Sequence, residues 1–199
     1  KATDFEAVTG LGIKGKVRGR PVLLGNQRFI EAAGIPVSHV LAEKATELRR
    51  NGQTTIFVGM GARLAGFIGV ADPIRETTPA AIAELQRLGF KVLMATGDNR
   101  ITAEAVAKQL GLDGFHAEVL PEDKSRIVAE LRKEGRRVAM AGDGVNDAPA
   151  LAAADVGIAM GTGADVALES AGLTLMTGDL RAIVRARNLA TATMKNIRE

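Results

Sequence analysis

Cysteine, tryptophan and tyrosine are all absent from the 199 residues of this sequence. The absence of cysteine excludes disulfides and thiolate metal sites, and it fits a reducing compartment. The net charge is only +3 and phenylalanine is the sole aromatic residue. The chain therefore lacks the basic patches and stacking platforms typical of nucleic-acid-binding proteins, and we expect no nucleic-acid partner.

Long apolar runs are also missing. None reaches the roughly 18–20 residues that a membrane-spanning helix needs, and the first residues lack the apolar segment of a signal peptide. Apolar residues still make up 46% of the sequence, which predicts a soluble globular chain with a sizeable core. The sequence begins without methionine and ends in a basic helical stretch, so we expect a piece of a longer protein.

The pattern of the sequence changes near residues 71–73. Before this point it predicts hairpins around Gly19 and around residues 61–63, with helices between them. After it, short strands and helices alternate, which predicts a parallel sheet covered by helices on both faces. We therefore predict two domains, residues 1–71 and residues 72–199. A site in the second domain is expected at the carboxyl ends of its strands.

Residues 142–151 read GDGVNDAPAL and follow a short apolar run. This pattern predicts a buried strand that ends in a glycine turn carrying Asp143 and Asp147, with Asn146 between them. Oxygen ligands packed this closely suit Mg²⁺. In the alternative interpretation, Asp147 only caps the helix that starts near Pro149, and the glycines only form the turn.

Two further strand ends carry polar residues. One strand runs into the turn Thr96-Gly97-Asp98-Asn99. The hydroxyl and the glycine amide of such a turn can hold a phosphoryl oxygen, although the same residue types favour an ordinary turn and helix cap. The other strand runs into Lys124, a cation at the positive end of a helix dipole. Neutralisation of phosphoryl charge would explain this lysine, and so would a solvated surface position.

Thr96, Lys124 and Asp143 all follow strands of one predicted sheet, so we expect them to meet at one edge. A phosphoryl group needs a hydroxyl donor, a cation and a carboxylate that binds Mg²⁺. It also needs an acceptor. The three strand ends together therefore predict a site for phosphoryl chemistry.

These strand ends resemble the haloacid-dehalogenase-like phosphotransferase pattern, in the form that P-type ATPases carry. The resemblance covers the whole chain. Residues 72–199 resemble the phosphorylation domain, and residues 1–71 resemble the later half of the nucleotide-binding domain. The implied fold is α/β, a haloacid-dehalogenase-like parallel sheet with helices on both faces, joined to an α+β partial nucleotide-binding domain. The implied protein is an ATP-driven heavy-metal pump at the cytoplasmic face of a membrane.

The resemblance implies a role for each matching residue, with ATP and Mg²⁺ as the bound groups. The implied magnesium ligands are Asp143 and Asp147. The implied catalytic residues are Thr96, Gly97, Asp98, Lys124, Asn146 and Asp147. The implied nucleotide-binding residues are Gly10, Gly12, Gly25, Asn26, Asp72 and Arg75.

The nucleotide-binding residues also have structural explanations. Glycines let a backbone approach a base or a phosphate closely, but a hairpin bulge would explain Gly10 and Gly12 as well. Asn26 fits either a ribose contact or a helix N-cap. Residues 72–75 resemble the family's interdomain hinge. Arg75 could meet nucleotide phosphate, and an interdomain ion pair or solvent would suit it equally. Residues 160–165, MGTGAD, also match the family, and we expect their glycines to form a turn.

Parts of the family pattern are missing from this sequence. It contains no Asp-Lys-Thr-Gly-Thr string with the acceptor Asp, no adenine-contacting Glu and His-Pro, no actuator domain and no transmembrane helices. The acceptor's strand is expected at the centre of the sheet, so another chain or upstream sequence would have to supply it. We therefore expect that this chain alone cannot form the phosphoenzyme.

Three functions stay open. The preferred one is export of a heavy-metal cation, with monovalent copper or silver favoured over zinc, cadmium or cobalt. The second is a soluble haloacid-dehalogenase-like phosphatase, which shares the Thr, Lys and Gly-Asp motifs but does not need the module at residues 10–26. The third is a nucleotide-binding or interaction module without catalysis.

Overall fold

The structure is a computed structural model that describes residues 2–71, 73–142, 145–161 and 171–198. The chain forms two compact units. The first unit contains Lys1–Pro73 and Thr96–Gln109, and the second contains Ile74–Ala95 and Leu110–Glu199. The assignment of residues 1–71 and 72–199 to a nucleotide-binding and a phosphorylation domain stays a prediction.

The described residues contain both strands and helices. The strands are β1 Ala2–Val8, β2 Gly12–Val17, β3 Arg20–Gly25, β4 Thr54–Met60, β5 Arg63–Val70, β6 Leu93–Ala95, β7 Gly114–His116, β8 Ala139–Gly142, β9 Val156–Met160 and β10 Leu173–Leu175. The helices are α1 Gln27–Ala32, α2 His39–Arg50, α3 Thr78–Arg87, α4 Arg100–Leu110, α5 Pro121–Lys133, α6 Ala148–Ala153 and α7 Arg181–Arg198, with a 3-10 turn at Val145–Asp147.

The first unit is built on an antiparallel sheet in the order β1-β2-β3-β4-β5. Both predicted hairpins are confirmed, because β2 pairs with β3 and β4 pairs with β5. Their turns contain Gly19 and Gly61, whose positive φ angles of 75° and 61° favour glycine. Strand β1 was not predicted. Nearly all of its residues are exposed, so it shows no alternation of buried and exposed side chains.

One face of this sheet is covered by helices. Strand β4 alternates in burial along its length, and its buried residues face a core that contains Ile30, Ile35, Ala45 and Phe57. The rings of Phe57 and Phe67 lie 5.7 Å apart at an angle of 55°, a tilted arrangement that aromatic pairs prefer. The core therefore holds α1 against β3 and β4, and α2 against β4 and β5.

The second unit contains parallel strands, as predicted, but they form two sheets. Strand β6 pairs with β7, while β8, β9 and β10 form a separate sheet in the order β10-β9-β8. The sheet was predicted to lack its central, acceptor-carrying strand, and among the described residues its strands are divided into these two groups. Within these residues β6 and β8 are both edge strands, because each of them pairs with only one described strand.

The long helices of the second unit are amphipathic and bury apolar side chains. Helix α3 buries Ala81, Ile82 and Leu85, and it contacts α7. Helix α7 contains no acidic residue, and from residue 188 onward all its described side chains are exposed. None of the described helices combines the length and the apolar character that crossing a membrane requires.

Asp179 ties the start of α7 to the start of α3. Its carboxylate accepts hydrogen bonds from the Arg181 amide at 2.9 Å and from the Arg181 guanidinium at 2.6 and 2.9 Å. Thr77, which precedes α3, donates its hydroxyl to the same carboxylate at 3.2 Å. The Arg181 side chain is the main reason why the pKa of Asp179 falls from 3.8 to about 2.

We predict that this aspartate makes stability depend on pH in the acid range. A folded-state pKa below the unfolded one means that the stabilisation is present above the unfolded value of 3.8 and is lost as the pH falls through about 2. Thermal unfolding of Asp179→Asn should occur at a lower temperature than that of the parent chain at neutral pH. The difference between the two unfolding temperatures should become smaller on acidification. A difference that stays constant would contradict this role of Asp179.

Candidate functional site

Lys124 and Asp147 form a partly buried ion pair in the second unit. Nζ of Lys124 donates to Oδ1 of Asp147 at 2.6 Å, and the two side chains are only 20% and 10% exposed. Lys124 lies in the first turn of α5, and Asp147 ends the 3-10 turn that follows β8. The solvated surface position considered for Lys124 therefore does not hold, because its ammonium is paired and screened from water.

Asp147 occupies the N-cap position of α6, but its side chain makes no capping hydrogen bond. The carboxylate is directed to Lys124 instead. It also packs closely on Gly142: a Cβ atom added there would lie 2.5 Å from Oδ2 and 2.8 Å from Cγ of Asp147. Glycine at the end of β8 therefore leaves the space that the Asp147 carboxylate occupies, and the interpretation of Asp147 as only a helix cap is wrong.

The remaining predicted magnesium ligand, Asp143, lies outside the described residues. Asn146 is exposed within the 3-10 turn. The described residues contain no group of three or more histidine, aspartate or glutamate side chains that could hold a metal ion. The Asp147 carboxylate supplies oxygen ligands of the type that Mg²⁺ prefers. One of these oxygens, Oδ1, already accepts a hydrogen bond from Lys124. The magnesium site stays a prediction.

The turn after β6 is held by hydrogen bonds to the Asp98 carboxylate. Oγ1 of Thr96 donates to Oδ2 of Asp98 at 2.9 Å and accepts from the Asp98 amide at 3.1 Å. Oγ1 of Thr54, at the start of β4, donates to Oδ1 of Asp98 at 2.6 Å. Thr54 was not among the predicted site residues, because it belongs to no motif and lies 44 positions from Asp98.

Asn99 caps the helix that follows this turn. Its Oδ1 accepts from the amides of Ile101 and Thr102 at 3.0 and 3.2 Å. Thr102 in turn donates its hydroxyl to the Gln53 carbonyl at 3.0 Å. The alternative of a turn and helix cap thus describes these contacts, and the phosphoryl-binding role of Thr96 and Gly97 stays a prediction.

The predicted convergence of three strand ends stays a prediction. Thr96 belongs to the first unit, whereas Lys124 belongs to the second, and Asp143 lies outside the described residues. Among the predicted residues that follow different strands of the second unit, the structure pairs Lys124 with Asp147. In the first unit it joins Thr96 to Asp98 and Asn26 to Gly10.

The predicted nucleotide motif at residues 10–26 is tightly packed. Asn26 is the N-cap of α1: its Oδ1 accepts from the Phe29 amide at 2.9 Å, and its Nδ2 donates to the Gly10 carbonyl at 3.1 Å. Gly12 and Gly25 face each other across β2 and β3. A Cβ on Gly25 would lie 2.5 Å from the Leu11 carbonyl oxygen and 2.6 Å from the Phe29 ring.

These contacts explain the motif structurally. The N-cap predicted as an alternative for Asn26 is confirmed, and the glycines are needed because the backbone segments approach too closely for a side chain. Gly10 has a φ of 71°, which glycine adopts without strain. A role in nucleotide binding stays a prediction.

Two other motifs are only partly described. Asp72 lies outside the described residues, and Arg75 lies against Gly178, where a Cβ would be 3.3 Å from the guanidinium Nη2. Residues 162–165 of the MGTGAD motif also lie outside. Gly161 is described, with a φ of 75° and an amide that donates to the carbonyls of Leu175 and Thr177. The rest of the predicted turn lies outside the described residues.

A family model and individual relatives both match most or all of this chain. A family model described as a haloacid dehalogenase-like hydrolase matches residues 2–155. The chain is 58% identical over 199 residues to a copper-transporting P-type ATPase of Rhizobium leguminosarum bv. viciae, and 51% identical over 197 residues to a silver exporting P-type ATPase of Salmonella typhimurium. The matches cover 100% and 99% of this chain but 24% of each relative. The chain thus spans about a quarter of these relatives.

Solved structures give the same picture. A zinc-transporting PIB-type ATPase in the E2.Pi state matches with a TM-score of 0.68 and 41% identity, over 100% of this chain and 32% of that one. The catalytic domain of the CPx-ATPase CopB-B matches with a TM-score of 0.66 and 26% identity, over 94% of this chain and 65% of that one. The predicted resemblance to heavy-metal-transporting P-type ATPases is confirmed, and so is the predicted fold class.

We predict that the Lys124–Asp147 pair stabilises the second unit as a pair. Lys124→Met leaves the Asp147 carboxylate poorly solvated and unpaired, so it should lower the free energy of unfolding by roughly 3 kcal/mol. Lys124→Met combined with Asp147→Leu removes both charges and should cost clearly less than the sum of the single changes. Urea unfolding of the parent, the two single variants and the double variant measures the coupling between the two side chains. If the two single losses of unfolding free energy add up to the loss of the double variant, the residues do not act as a pair.

We also predict that Gly25 cannot accept even a methyl group. Gly25→Ala should destabilise the first unit by roughly 1–3 kcal/mol, because neighbouring backbone and the Phe29 ring must move. Gly172→Ala is the control, since its Cβ would meet nothing closer than the Gly157 carbonyl oxygen at 4.0 Å. In urea unfolding followed by circular dichroism, Gly25→Ala should lose clearly more unfolding free energy than Gly172→Ala. Equal losses in the two variants would contradict close packing as the cause.

Proposed function

Because this chain belongs to the haloacid dehalogenase-like hydrolase family, we propose that it is the nucleotide- and phosphoryl-handling part of an ATP-driven heavy-metal pump that works through an aspartyl phosphate. The screened ion pair between Lys124 and Asp147, at the carboxyl end of β8, is the observation that supports this best. It provides a fixed ammonium group where phosphoryl charge would develop. The identity to copper and silver pumps over the whole chain supports the same conclusion.

In this proposal the phosphoryl group is held by residues that follow three strands. Lys124 neutralises charge on the transferring group, and Asp147 keeps its ammonium in place. Thr96 and the Gly97 amide hold phosphoryl oxygens. Asp143 and Asp147 would hold Mg²⁺, with Asn146 ordering its surroundings, and the ion would supply further charge neutralisation.

ATP is proposed to bind at the first unit. Gly10 and Gly12 offer bare backbone, and Gly25 and Asn26 shape the same loop. Nδ2 and Oδ1 of Asn26 are engaged within the protein, which supports a role in holding this loop rather than a direct contact through those atoms. Asp72 and Arg75 are proposed to complete the nucleotide site from the connection between the domains.

The acceptor Asp is proposed to lie outside this sequence, in the longer pump. The split of the parallel strands supports this idea. Strands β6 and β8 each leave one edge unpaired among the described residues, and an unpaired edge can accept a further strand. A strand that carries the acceptor would join the two sheets. The same pump would supply an actuator domain and transmembrane helices, with this part at the cytoplasmic face of the membrane.

The proposed cargo is monovalent copper or silver. This follows the names of the relatives with 58% and 51% identity, whereas a zinc-transporting structure is 41% identical. Zinc, cadmium or cobalt is therefore the alternative cargo. Stimulation of the pump's ATPase by Cu(I) or Ag(I) rather than Zn(II) would support the proposed cargo, and the reverse order would replace it.

We predict that Asp143→Asn in the full-length pump lowers phosphoenzyme formation from labelled ATP by roughly a hundredfold and weakens its dependence on Mg²⁺. Asp113→Asn is the matched control. The Asp113 carboxylate accepts from the Val92 amide before β6, at the opposite strand end from the proposed site. Unchanged phosphoenzyme in the Asp143 variant would remove this residue from the mechanism, and absence of any phosphoenzyme in the parent pump would overturn the function.

A further inference from the structure

Asp98 is shared by two threonine hydroxyls. Thr54 donates to its Oδ1 at 2.6 Å, and Thr96 donates to its Oδ2 at 2.9 Å. All three side chains belong to the first unit. Hydrogen bonds from a hydroxyl to a carboxylate are charge-assisted and stronger than those between neutral groups, so both contacts contribute to holding this turn.

The Thr96 hydroxyl has a single proton, and in the structure that proton is directed to Asp98. A hydroxyl can donate one hydrogen bond at a time. Binding of a phosphoryl oxygen by Thr96 therefore requires its proton to turn away from Oδ2. The Asp98 carboxylate then loses the hydrogen bond from Thr96. The free-energy cost of this change depends on which hydrogen bonds the carboxylate keeps.

The start of β4 is well placed to keep Asp98 satisfied. Thr54 is fixed by its pairing with Val70 of β5. The preceding carbonyl, that of Gln53, accepts from Thr102 Oγ1 at 3.0 Å, and Thr102 is only 2% exposed. Two consecutive residues of this strand edge thus hold both the Asp98 turn and the first turn of α4.

We propose that Thr54 is a positioning residue for phosphoryl transfer, an inference that rests on the proposed role of Thr96. Its hydroxyl holds the Asp98 carboxylate at Oδ1 while the Thr96 hydroxyl turns its hydrogen bond from Oδ2 to the phosphoryl oxygen. Thr54 itself does not touch the substrate. Its effect is on the step in which the phosphoryl group is engaged, rather than on the binding of the nucleotide.

The test compares two neighbouring threonines in the full-length pump. Thr54→Val removes the hydroxyl that holds Asp98. Thr55→Val makes the same change one residue along β4, where the hydroxyl accepts from Arg49 Nε at 2.7 Å instead. We expect Thr54→Val to slow single-turnover phosphoenzyme formation on the order of tenfold, with little change in the ATP concentration that gives half the maximal rate. Thr55→Val should retain the parent rate.

Thr54→Ser keeps the hydroxyl and should restore most of the rate, whereas Thr54→Ala removes it without adding a methyl group and should match Thr54→Val. The Ala variant decides the question if the Val variant does not fold. Equal rates in Thr54→Ala and the parent would overturn the positioning role. So would a variant that needs more ATP to reach half its maximal rate but keeps the parent's maximal rate. A parent pump that forms no phosphoenzyme would instead overturn the proposed function.

Discussion

The carboxyl edge of the second unit depends on one ion pair between Lys124 and Asp147. It connects the first turn of α5 to the turn between β8 and α6, and it is largely screened from water. Removal of either partner would leave a poorly solvated charge, which is far more costly than the loss of an exposed pair. Gly142 is required by the same arrangement, because the Asp147 carboxylate fills the space next to it.

Asp147 and Asp98, two acidic residues of the predicted motifs, are compensated differently. Asp147 faces an ammonium group, so that pair carries no net charge. Asp98 accepts hydrogen bonds from two neutral hydroxyls. Neither cluster by itself offers excess positive charge to an incoming phosphate. This charge balance agrees with the proposal that a divalent cation, held by Asp143 and Asp147, takes part in binding.

Short-range signals predicted much of this fold, and long-range pairing was less accessible. Turn glycines such as Gly19 and Gly61 marked both hairpins. Strand β1 was missed, because its exposed residues show no alternation. The division of the parallel strands into two sheets depends on which strands are present, which no local pattern records. The rule that strand ends carry function singled out Lys124 and Asp147, which the structure pairs. It could not find Thr54, which contacts Asp98 from the start of a distant strand.

Helix α7 is fastened at one end and exposed along its second half. Asp179 and Thr77 secure its start, while residues 188–198 are exposed. Eighteen residues at about 1.5 Å per residue make a rod of about 27 Å. A tilt of about 5° at the start of the helix therefore displaces its last residue by about 2 Å. Small rearrangements around Asp179 would therefore be magnified at the far end of α7.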